Sequence, residues 1–313
     1  MKFACVFPGQ GSQSVGMMKD MIEHYLELPE LLQRASDGLG YDLQDLILNG
    51  PEENLNLTEH TQPAMLCVGV AAWKALRINT RKMPSIMAGH SLGEYTALVC
   101  ARSIQFEDAV KLVAERGRLM QTAVAEGEGA LAAILGLDDD KVVSLCEQVK
   151  DLGVLEAANF NSPGQVVIAG NTAAVEAGMA LAKENGAKRA LKLAVSVPSH
   201  SSLMKHAAEE LEQRLMAIEI NEPVVPVVQN VDARVHSDPQ EIIANLKQQI
   251  YRPVLWVDTV HTINQTGVAA IVEAGPGRVL AGLNRRIDKS VPQYHLDNLE
   301  HLNKFVADLE QAS

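Results

Sequence analysis

The chain has no apolar run long enough to cross a bilayer, and positive charge is in the minority. A membrane-spanning helix needs about 20 consecutive apolar residues, and the sequence contains no such stretch. The 27 Lys and Arg residues are outnumbered by 39 Asp and Glu, and the net charge of −12 argues against general nucleic-acid binding. The first residues resemble a strand that stops at Pro8, not a signal peptide. We therefore expect a soluble cytoplasmic protein that binds neither membranes nor nucleic acid.

Cysteine is scarce and is not arranged for zinc binding. The chain has four cysteines, far apart and mostly in apolar surroundings: Cys5, Cys67, Cys100 and Cys146. No CxxC pair or Cys/His cluster with zinc spacing occurs, so we predict buried free thiols and no metal site. The glycine-rich turn 8–16 has Ser14 where a dinucleotide fingerprint needs its third glycine, and no Walker loop is present. The sequence therefore lacks a nucleotide-cofactor motif, and Gln10 is the side chain that this turn presents.

What is present is a globular chain of 313 residues, of which 47% are apolar and 21% charged. Short apolar strands alternate with helices, which predicts a parallel sheet covered on both faces. Residues 127–197 differ, because their order βαββαβ predicts a ferredoxin-like small domain inserted into a larger domain of residues 1–126 and 198–313. An inserted domain over a sheet edge creates a cleft, which is where sites usually lie.

The segment Gly89-His90-Ser91-Leu92-Gly93 joins a buried strand to a helix, which is the pattern of a nucleophile elbow. The tight turn needs small residues on either side of the serine. It pushes the Ser91 hydroxyl out of the sheet and points the Leu92 N–H to where a tetrahedral oxyanion would form. The pattern also occurs by chance, and on these residues alone a plain surface turn is an equal alternative.

The predicted helix 106–124 carries an arginine on its apolar face. At 100° per residue, Arg116 falls inside the apolar arc, whereas Arg118 falls on the opposite side. A guanidinium that faces the interior needs an anion. That anion is either a carboxylate of the chain itself, which the pattern slightly favours, or the carboxylate of a ligand.

Among the nine histidines, His200 is the best candidate to partner Ser91. It lies in a Pro-Ser-His turn between the predicted small domain and a predicted helix at 203–215. The positive end of that helix should disfavour the imidazolium and keep the ring available as a base. His90, beside the serine, must point away across the turn, and the other histidines fit structural or solvated roles.

Several motifs occur in order along most of the chain. They are Phe7-Pro8-Gly9-Gln10-Gly11-Ser12-Gln13, Gly89-His90-Ser91-Leu92-Gly93-Glu94, Arg116-Gly117-Arg118, Asn159-Phe160-Asn161, Val197-Pro198-Ser199-His200 and Glu273-Ala274-Gly275-Pro276-Gly277. Together they closely resemble the malonyl-CoA:acyl carrier protein transacylase family of bacterial type II fatty acid synthesis. The resemblance implies an α/β-hydrolase-like large domain with a parallel sheet and an inserted ferredoxin-like small domain, which agrees with the prediction above.

The resemblance implies a catalytic role for each matching residue. Ser91 would be the nucleophile and His200 its general base. The backbone carbonyl of Gln249 would orient the histidine where a hydrolase has a carboxylate. The backbone N–H groups of Gln10 and Leu92 would form the oxyanion hole.

The resemblance also implies the substrate contacts. Arg116 would hold the free carboxylate of the malonyl group, and Asn159 would belong to the substrate site. Leu92 resembles malonyl-selective acyltransferases, whereas related methylmalonyl-selective modules tend to have glutamine there. Ser199 departs from the malonyl-selective polyketide relatives, which carry an aromatic residue before the histidine.

The implied reaction is ping-pong transfer of malonyl from malonyl-CoA to acyl carrier protein, without a metal or redox cofactor. The alternatives are a serine esterase or thioesterase, an acyltransferase of a polyketide or malonate decarboxylase system, and a non-catalytic module that binds carrier proteins. We expect a monomer. Because carrier proteins are acidic as a family, docking needs a local basic face. Two basic groups are candidates: Lys188, Arg189 and Lys192, and Arg285, Arg286 and Lys289.

Overall fold

The strands form two sheets in the computed structural model, which describes residues 1–195 and 197–312. Ser196 and Ser313, which fall in the predicted small and large domains, lie outside the described residues. In chain order the strands are β1 (Phe3–Phe7), β2 (Ile86–Gly89), β3 (Gly129–Leu135), β4 (Leu155–Ser162), β5 (Gln165–Asn171), β6 (Arg189–Lys192), β7 (Val227–Val228), β8 (Ala270–Glu273) and β9 (Gln293–His295).

The helices surround these sheets. They are α1 (Lys19–His24), α2 (Glu27–Leu39), α3 (Leu43–Asn49), α4 (Glu52–Leu55), α5 (Thr58–Asn79), α6 (Leu92–Cys100), α7 (Phe106–Thr122), α8 (Asp139–Gln148), α9 (Thr172–Glu184), α10 (Lys205–Leu215), α11 (Pro239–Gln249), α12 (Trp256–Gln265), α13 (Val279–Ile287) and α14 (Leu299–Gln311). None of them, within the part of the chain that is described, is long and apolar enough to cross a membrane.

The larger sheet is parallel and buried on both faces, as its apolar strands predict. Its five strands follow the order β7-β2-β1-β8-β9, and their pairings are all parallel. Alternate residues of β1 enter different cores: Phe3 and Phe7 pack into one hydrophobic cluster, and Val6 packs into another that contains Trp256 of α12. The carboxyl ends of β1 and β2 therefore meet at one edge, which is where ligands bind in sheets of this kind.

The smaller sheet is antiparallel, with the order β4-β5-β3-β6. With α8 and α9 it follows the chain order βαββαβ, and α8 and α9 contribute Val142 and Val175 to a separate hydrophobic cluster with Ile134 and Ile168 of the sheet. The predicted fold class, a parallel α/β sheet with a ferredoxin-like unit, is confirmed. The exact limits of the inserted domain, 127–197, stay a prediction.

The structure differs from the sequence predictions where the local sequence pattern is weak. Strand β9 and helix α3 were not predicted. The residues of β9 are only half-buried, so they carry no clear apolar pattern. The last strand of the predicted βαββαβ order, for which the apolar pattern predicts residues 190–195, is observed as β6 and ends at Lys192. The helix predicted from 203 begins with a 3₁₀ turn, Ser202–Met204, before α10.

Candidate active site

The turn between β2 and α6 has the strained geometry of a nucleophile elbow. Ser91 has φ 51° and ψ −107°, outside the regions that non-glycine residues prefer. A Cβ on Gly89 would lie 1.9 Å from the Gly93 carbonyl carbon, and a Cβ on Gly93 would lie 2.0 Å from the Phe7 oxygen. Both glycines are therefore required by close backbone contact, which a plain surface turn would not need.

The loop after β1 packs directly against this elbow. A Cβ on Gly9 would lie 2.5 Å from the His90 carbonyl oxygen, so only glycine permits the approach. The Leu92 nitrogen lies 3.8 Å from the same Cβ position, and both Gln10 and Leu92 line a cavity of about 200 Å³. Their assignment as paired oxyanion donors stays a prediction.

The structure brings Ser91 and His200 together. The Ser91 hydroxyl donates to His200 Nε2 at 2.8 Å. His200 Nδ1 lies 2.7 Å from the Gln249 carbonyl oxygen and 3.2 Å from that of Arg252. Because carbonyl oxygens only accept, Nδ1 carries the proton and Nε2 is left as the base toward the serine.

The environment of His200 keeps the imidazole neutral. Burial, followed by the positive charge of Arg116, lowers the pKa of His200 to about 3. The predicted direction is therefore correct, but its main cause is different. The main causes are burial and the Arg116 charge, which disfavour the imidazolium, and the helical segment after the histidine begins as a 3₁₀ turn at Ser202.

Arg116 is buried beside the nucleophile, with 1% of its surface exposed. Its guanidinium donates to Gln62 Oε1 at 2.7 Å, to Gln249 Oε1 at 3.0 Å and to the Ser91 hydroxyl oxygen at 3.2 Å. No carboxylate in residues 1–195 and 197–312 pairs with it directly, so the internal ion pair that the helix pattern slightly favoured is wrong. A buried cation with neutral partners next to a nucleophile is suited to an anionic ligand.

The remaining predicted residues also lie at this site. Asn159 of β4 is buried and lines the cavity, whereas Gln249 is fully buried behind it. His90 points away from the serine, as predicted. Its Nε2 bonds to the side-chain oxygen of Asn161 at 2.8 Å.

Comparison with known proteins identifies the family. The acyl transferase domain family matches residues 4–305. The chain belongs to this family. It is 53% identical to the malonyl CoA-acyl carrier protein transacylase of Haemophilus influenzae, with 91% of this chain and 92% of that protein covered. The Escherichia coli K12 protein of the same name is 52% identical over 91% of this chain and 93% of its own length.

Solved structures agree with this family. A malonyl-transacylase in complex with a type II polyketide synthase acyl-carrier protein has a TM-score of 0.97 and 47% identity, covering 98% of this chain and 100% of that one. An acyl carrier protein S-malonyltransferase from Vibrio cholerae has a TM-score of 0.95 and 48% identity, covering 97% and 100%.

Sequence reasoning about this acyl transferase domain missed several residues of the site. Gln62, Glu94 and Asn230 had no predicted role, although each is buried and hydrogen-bonded at or beside Ser91, Arg116 or Gln249. The sequence feature that could have indicated Asn230 is its position just after strand β7. For Glu94 and Gln62, the feature is a polar residue within an otherwise apolar helix. These signals indicate burial but not the partner.

One group outside the cavity has side chains that could hold a metal ion. Within the described residues it consists of His295, Asp297 and His301, at the end of β9 and the start of α14. The pKa of His295 is lowered, mainly by burial and also by the positive charges of Arg278 and Arg285. These charges disfavour a cation there. None of the three residues lines the Ser91 cavity.

Proposed function

We propose that the protein transfers a malonyl group from malonyl-CoA to the phosphopantetheine thiol of acyl carrier protein through a malonyl-Ser91 intermediate. The observation that carries the proposal is one cavity in which a Ser–His pair at 2.8 Å stands beside a buried, unpaired guanidinium 3.2 Å from the same hydroxyl. The transacylase names of the relatives support it.

In the first half-reaction, Ser91 Oγ attacks the thioester carbonyl while His200 Nε2 takes its proton. The N–H groups of Gln10 and Leu92 stabilise the oxyanion, and each donor of this type contributes roughly 10²–10³ in rate. The carbon–sulfur bond then breaks. His200 gives its proton to the departing CoA thiolate, which leaves malonyl esterified to Ser91.

The second half-reaction runs the same steps in reverse with a different thiol. The carrier's thiol loses its proton to His200 and attacks the malonyl ester, and the proton returns to Ser91 as the C–O bond breaks. The carbonyl oxygens of Gln249 and Arg252 hold the imidazole in its tautomer throughout. The proposed steps use only groups of the protein and of its two substrates.

Arg116 is proposed to select the acyl group. Its guanidinium would pair with the malonyl carboxylate, and Asn159 would line the same part of the cavity. An acetyl group would leave the guanidinium buried without an anion, which costs about 1–3 kcal/mol or more.

We assign carrier docking to a face shared by the two predicted basic groups. In the small sheet, Leu135 pairs with Gln165 on one side and Arg189 on the other. Arg286 of α13 donates to Gln165 Oε1 at 2.5 Å, and Gln165 lines the cavity. Arg189 and Arg286 are both exposed, so they place positive charge beside the cavity, where an acidic carrier would dock.

The deciding experiment is incubation with malonyl-CoA followed by intact mass measurement. We expect a stable malonyl adduct on the wild type and none on Ser91→Ala. Acyl carrier protein should discharge the adduct and water should not. Rapid hydrolysis would indicate a thioesterase, and the absence of any adduct would indicate a non-catalytic module.

Two further points belong to this proposal. A polyketide carrier is a second candidate acceptor, because the malonyl-transacylase with the TM-score of 0.97 was solved with a type II polyketide carrier. Comparing discharge by the two classes of carrier distinguishes them.

The cytoplasmic location also stays a proposal, supported by four buried free cysteines, which suit a reducing compartment.

A further inference from the structure

Both polar groups of the Ser91 backbone are held by side chains. The Ser91 N–H donates to Asn230 Oδ1 at 2.7 Å, and Asn230 Nδ2 donates to the Gly89 carbonyl oxygen at 2.7 Å. On the other side, Gln249 Nε2 donates to the Ser91 carbonyl oxygen at 2.9 Å. A non-glycine residue with φ 51° is strained and persists only when its surroundings hold it. The two amide side chains are this support.

A single carboxylate orients both supports. Glu94, in the first turn of α6, has 0% of its surface exposed. Its Oε2 accepts from the Asn230 backbone N–H at 2.9 Å and from Gln249 Nε2 at 3.0 Å, and its Oε1 accepts from Gln229 Nε2 at 3.2 Å. All three partners are donors. An ionised carboxylate suits three donors, because a protonated one would add a further donor among them.

The carboxylate also determines which way the Gln249 side chain points. Its Nε2 faces Glu94 and the Ser91 carbonyl, so its Oε1 is left to accept from Arg116. The backbone carbonyl of the same residue holds His200. Glu94 is thus connected through one residue to the nucleophile, the base and the guanidinium.

We propose that Glu94 is a positioning residue: acting through Asn230 and Gln249, it holds the strained Ser91 backbone so that the hydroxyl stays in line with His200. This inference depends on the proposed function only because one arm of its test uses malonyl-CoA as the acyl donor. It adds to the Ser–His pair a buried carboxylate that supports the backbone of the nucleophile through two amide side chains.

The ionisation of Glu94 gives this role a pH signature. Burial raises the pKa of Glu94 to about 7, against the donors around it and the charge of Arg116 from α7. Tyr95, its neighbour on α6, is the other titratable group coupled to it. Below its pKa the carboxyl carries a proton among these donors and has lost its charge, which weakens the contacts that hold Asn230 and Gln249. Acylation should therefore slow as pH falls through about 7.

The test is Glu94→Gln, which preserves shape and removes the charge. Acylation of Ser91 is followed by mass at several malonyl-CoA concentrations, and Ser91 is labelled separately with a fluorophosphonate, which needs neither CoA nor Arg116. We expect the maximal acylation rate and the labelling rate to fall together, about ten- to a hundredfold. The half-saturating malonyl-CoA concentration should change less than about threefold, and the decline of the rate below pH 7 should disappear.

The matched control is Glu273→Gln. Glu273 is also a buried carboxylate whose pKa is raised to about 7, but it accepts from the N–H groups of Leu280 and Ala281 instead of supporting Ser91. This variant should keep the wild-type labelling rate and the acid decline. Equal losses in both variants, or wild-type labelling in Glu94→Gln, would overturn the proposal.

A second variant keeps the proposal testable if Glu94→Gln does not fold. Asn230→Asp leaves Glu94 in place but sets a carboxylate oxygen against the Gly89 carbonyl, so labelling should fall by a similar factor. Unchanged labelling would reject the positioning role. If the wild type reacts with the fluorophosphonate but never with malonyl-CoA, the proposed function fails while the comparison of variants remains decisive.

Discussion

Arg116 and Arg118 lie on the same helix and have opposite environments. Arg116 is buried among neutral acceptors beside the nucleophile, whereas the Arg118 side chain is 48% exposed and pairs with Glu115. At the scale of single residues, the site therefore depends on which charges are removed from water. A charge in water is screened and replaceable, but a buried one requires a partner.

Arg116→Ala should lose malonyl transfer and keep or gain acetyl transfer. Removing a charge-assisted contact to a buried carboxylate costs roughly 1.5–3 kcal/mol, or about ten- to a hundredfold in kcat/KM. The measurement is kcat/KM for malonyl-CoA and acetyl-CoA, with Arg118→Ala as the control that leaves the ratio unchanged. An unaltered acyl preference in Arg116→Ala would remove the arginine from selection.

His200 should make the folded state sensitive to acid. Its pKa is lowered to about 3 from 6.5, so between these values the unfolded chain binds a proton that the folded chain does not. The free energy of unfolding therefore falls as pH drops from 6.5 towards 3, by about 1.4 kcal/mol per pH unit for this group. In His200→Gln, urea unfolding at pH 7.5, 5.5 and 4.5 should show a correspondingly smaller decline. Parallel curves for the two proteins would contradict the lowered pKa.

At the elbow, neighbouring segments touch through backbone atoms and not through side chains. At Gly9, Gly89 and Gly93, a backbone atom of another residue lies only 1.9–2.5 Å from where the glycine's own Cβ would be. This close packing sets the start of α6 against the loop after β1, and Leu92 and Gln10 line the same cavity. The proposed oxyanion hole would therefore depend on these glycines.

Gly93→Ala should destabilise the protein by about 3 kcal/mol or more, because its Cβ would overlap the Phe7 carbonyl and no flexible side chain can yield. Gly282→Ala on α13 is the control. Its Cβ meets nothing within 4 Å, so alanine should stabilise that helix by about 0.5–1 kcal/mol. Chemical denaturation of the two variants measures both effects, and equal stabilities would show that the elbow tolerates a methyl group.

At the scale of the whole molecule, the cavity exists because two sheets meet. Ser91, Leu92 and Gln10 come from the edge of the parallel sheet, whereas Leu131, Asn159 and Val167 come from the antiparallel sheet. Neither sheet alone surrounds the acyl group. In the proposed function, the carrier's thiol enters between the two sheets, beside the face that carries Arg189 and Arg286.

Charge reversal at this face should weaken use of the carrier and not of CoA. Arg286→Glu and Arg189→Glu should raise KM for acyl carrier protein several-fold with KM for malonyl-CoA unchanged. Arg285→Glu should do less, because Arg285 instead donates to the Gln293 carbonyl at 3.3 Å. Arg81→Glu, before the amino end of β2 and thus away from the cavity, is the control. Equal effects on both substrates would reject the docking face.

Local patterns in the sequence determined the elements and several environments in advance. The strand–turn–helix around Ser91, the burial of Arg116 and the order βαββαβ follow from periodicity and glycine placement, because these depend on neighbours within a few residues. The roles of Gln249 and Asn159 came only from the resemblance to a family. No local pattern pointed to them.

Only the tertiary structure decided which distant groups meet. His200 is 109 residues from Ser91, Asn230 is 139 residues away, and Gln249 lies 158 residues away. It also decided that Arg116 has no carboxylate partner in the described residues, and that burial and Arg116 set the pKa of His200. Hydrophobic patterning specifies which face of an element is buried, but the polar partner found there depends on packing between elements, which no local pattern encodes.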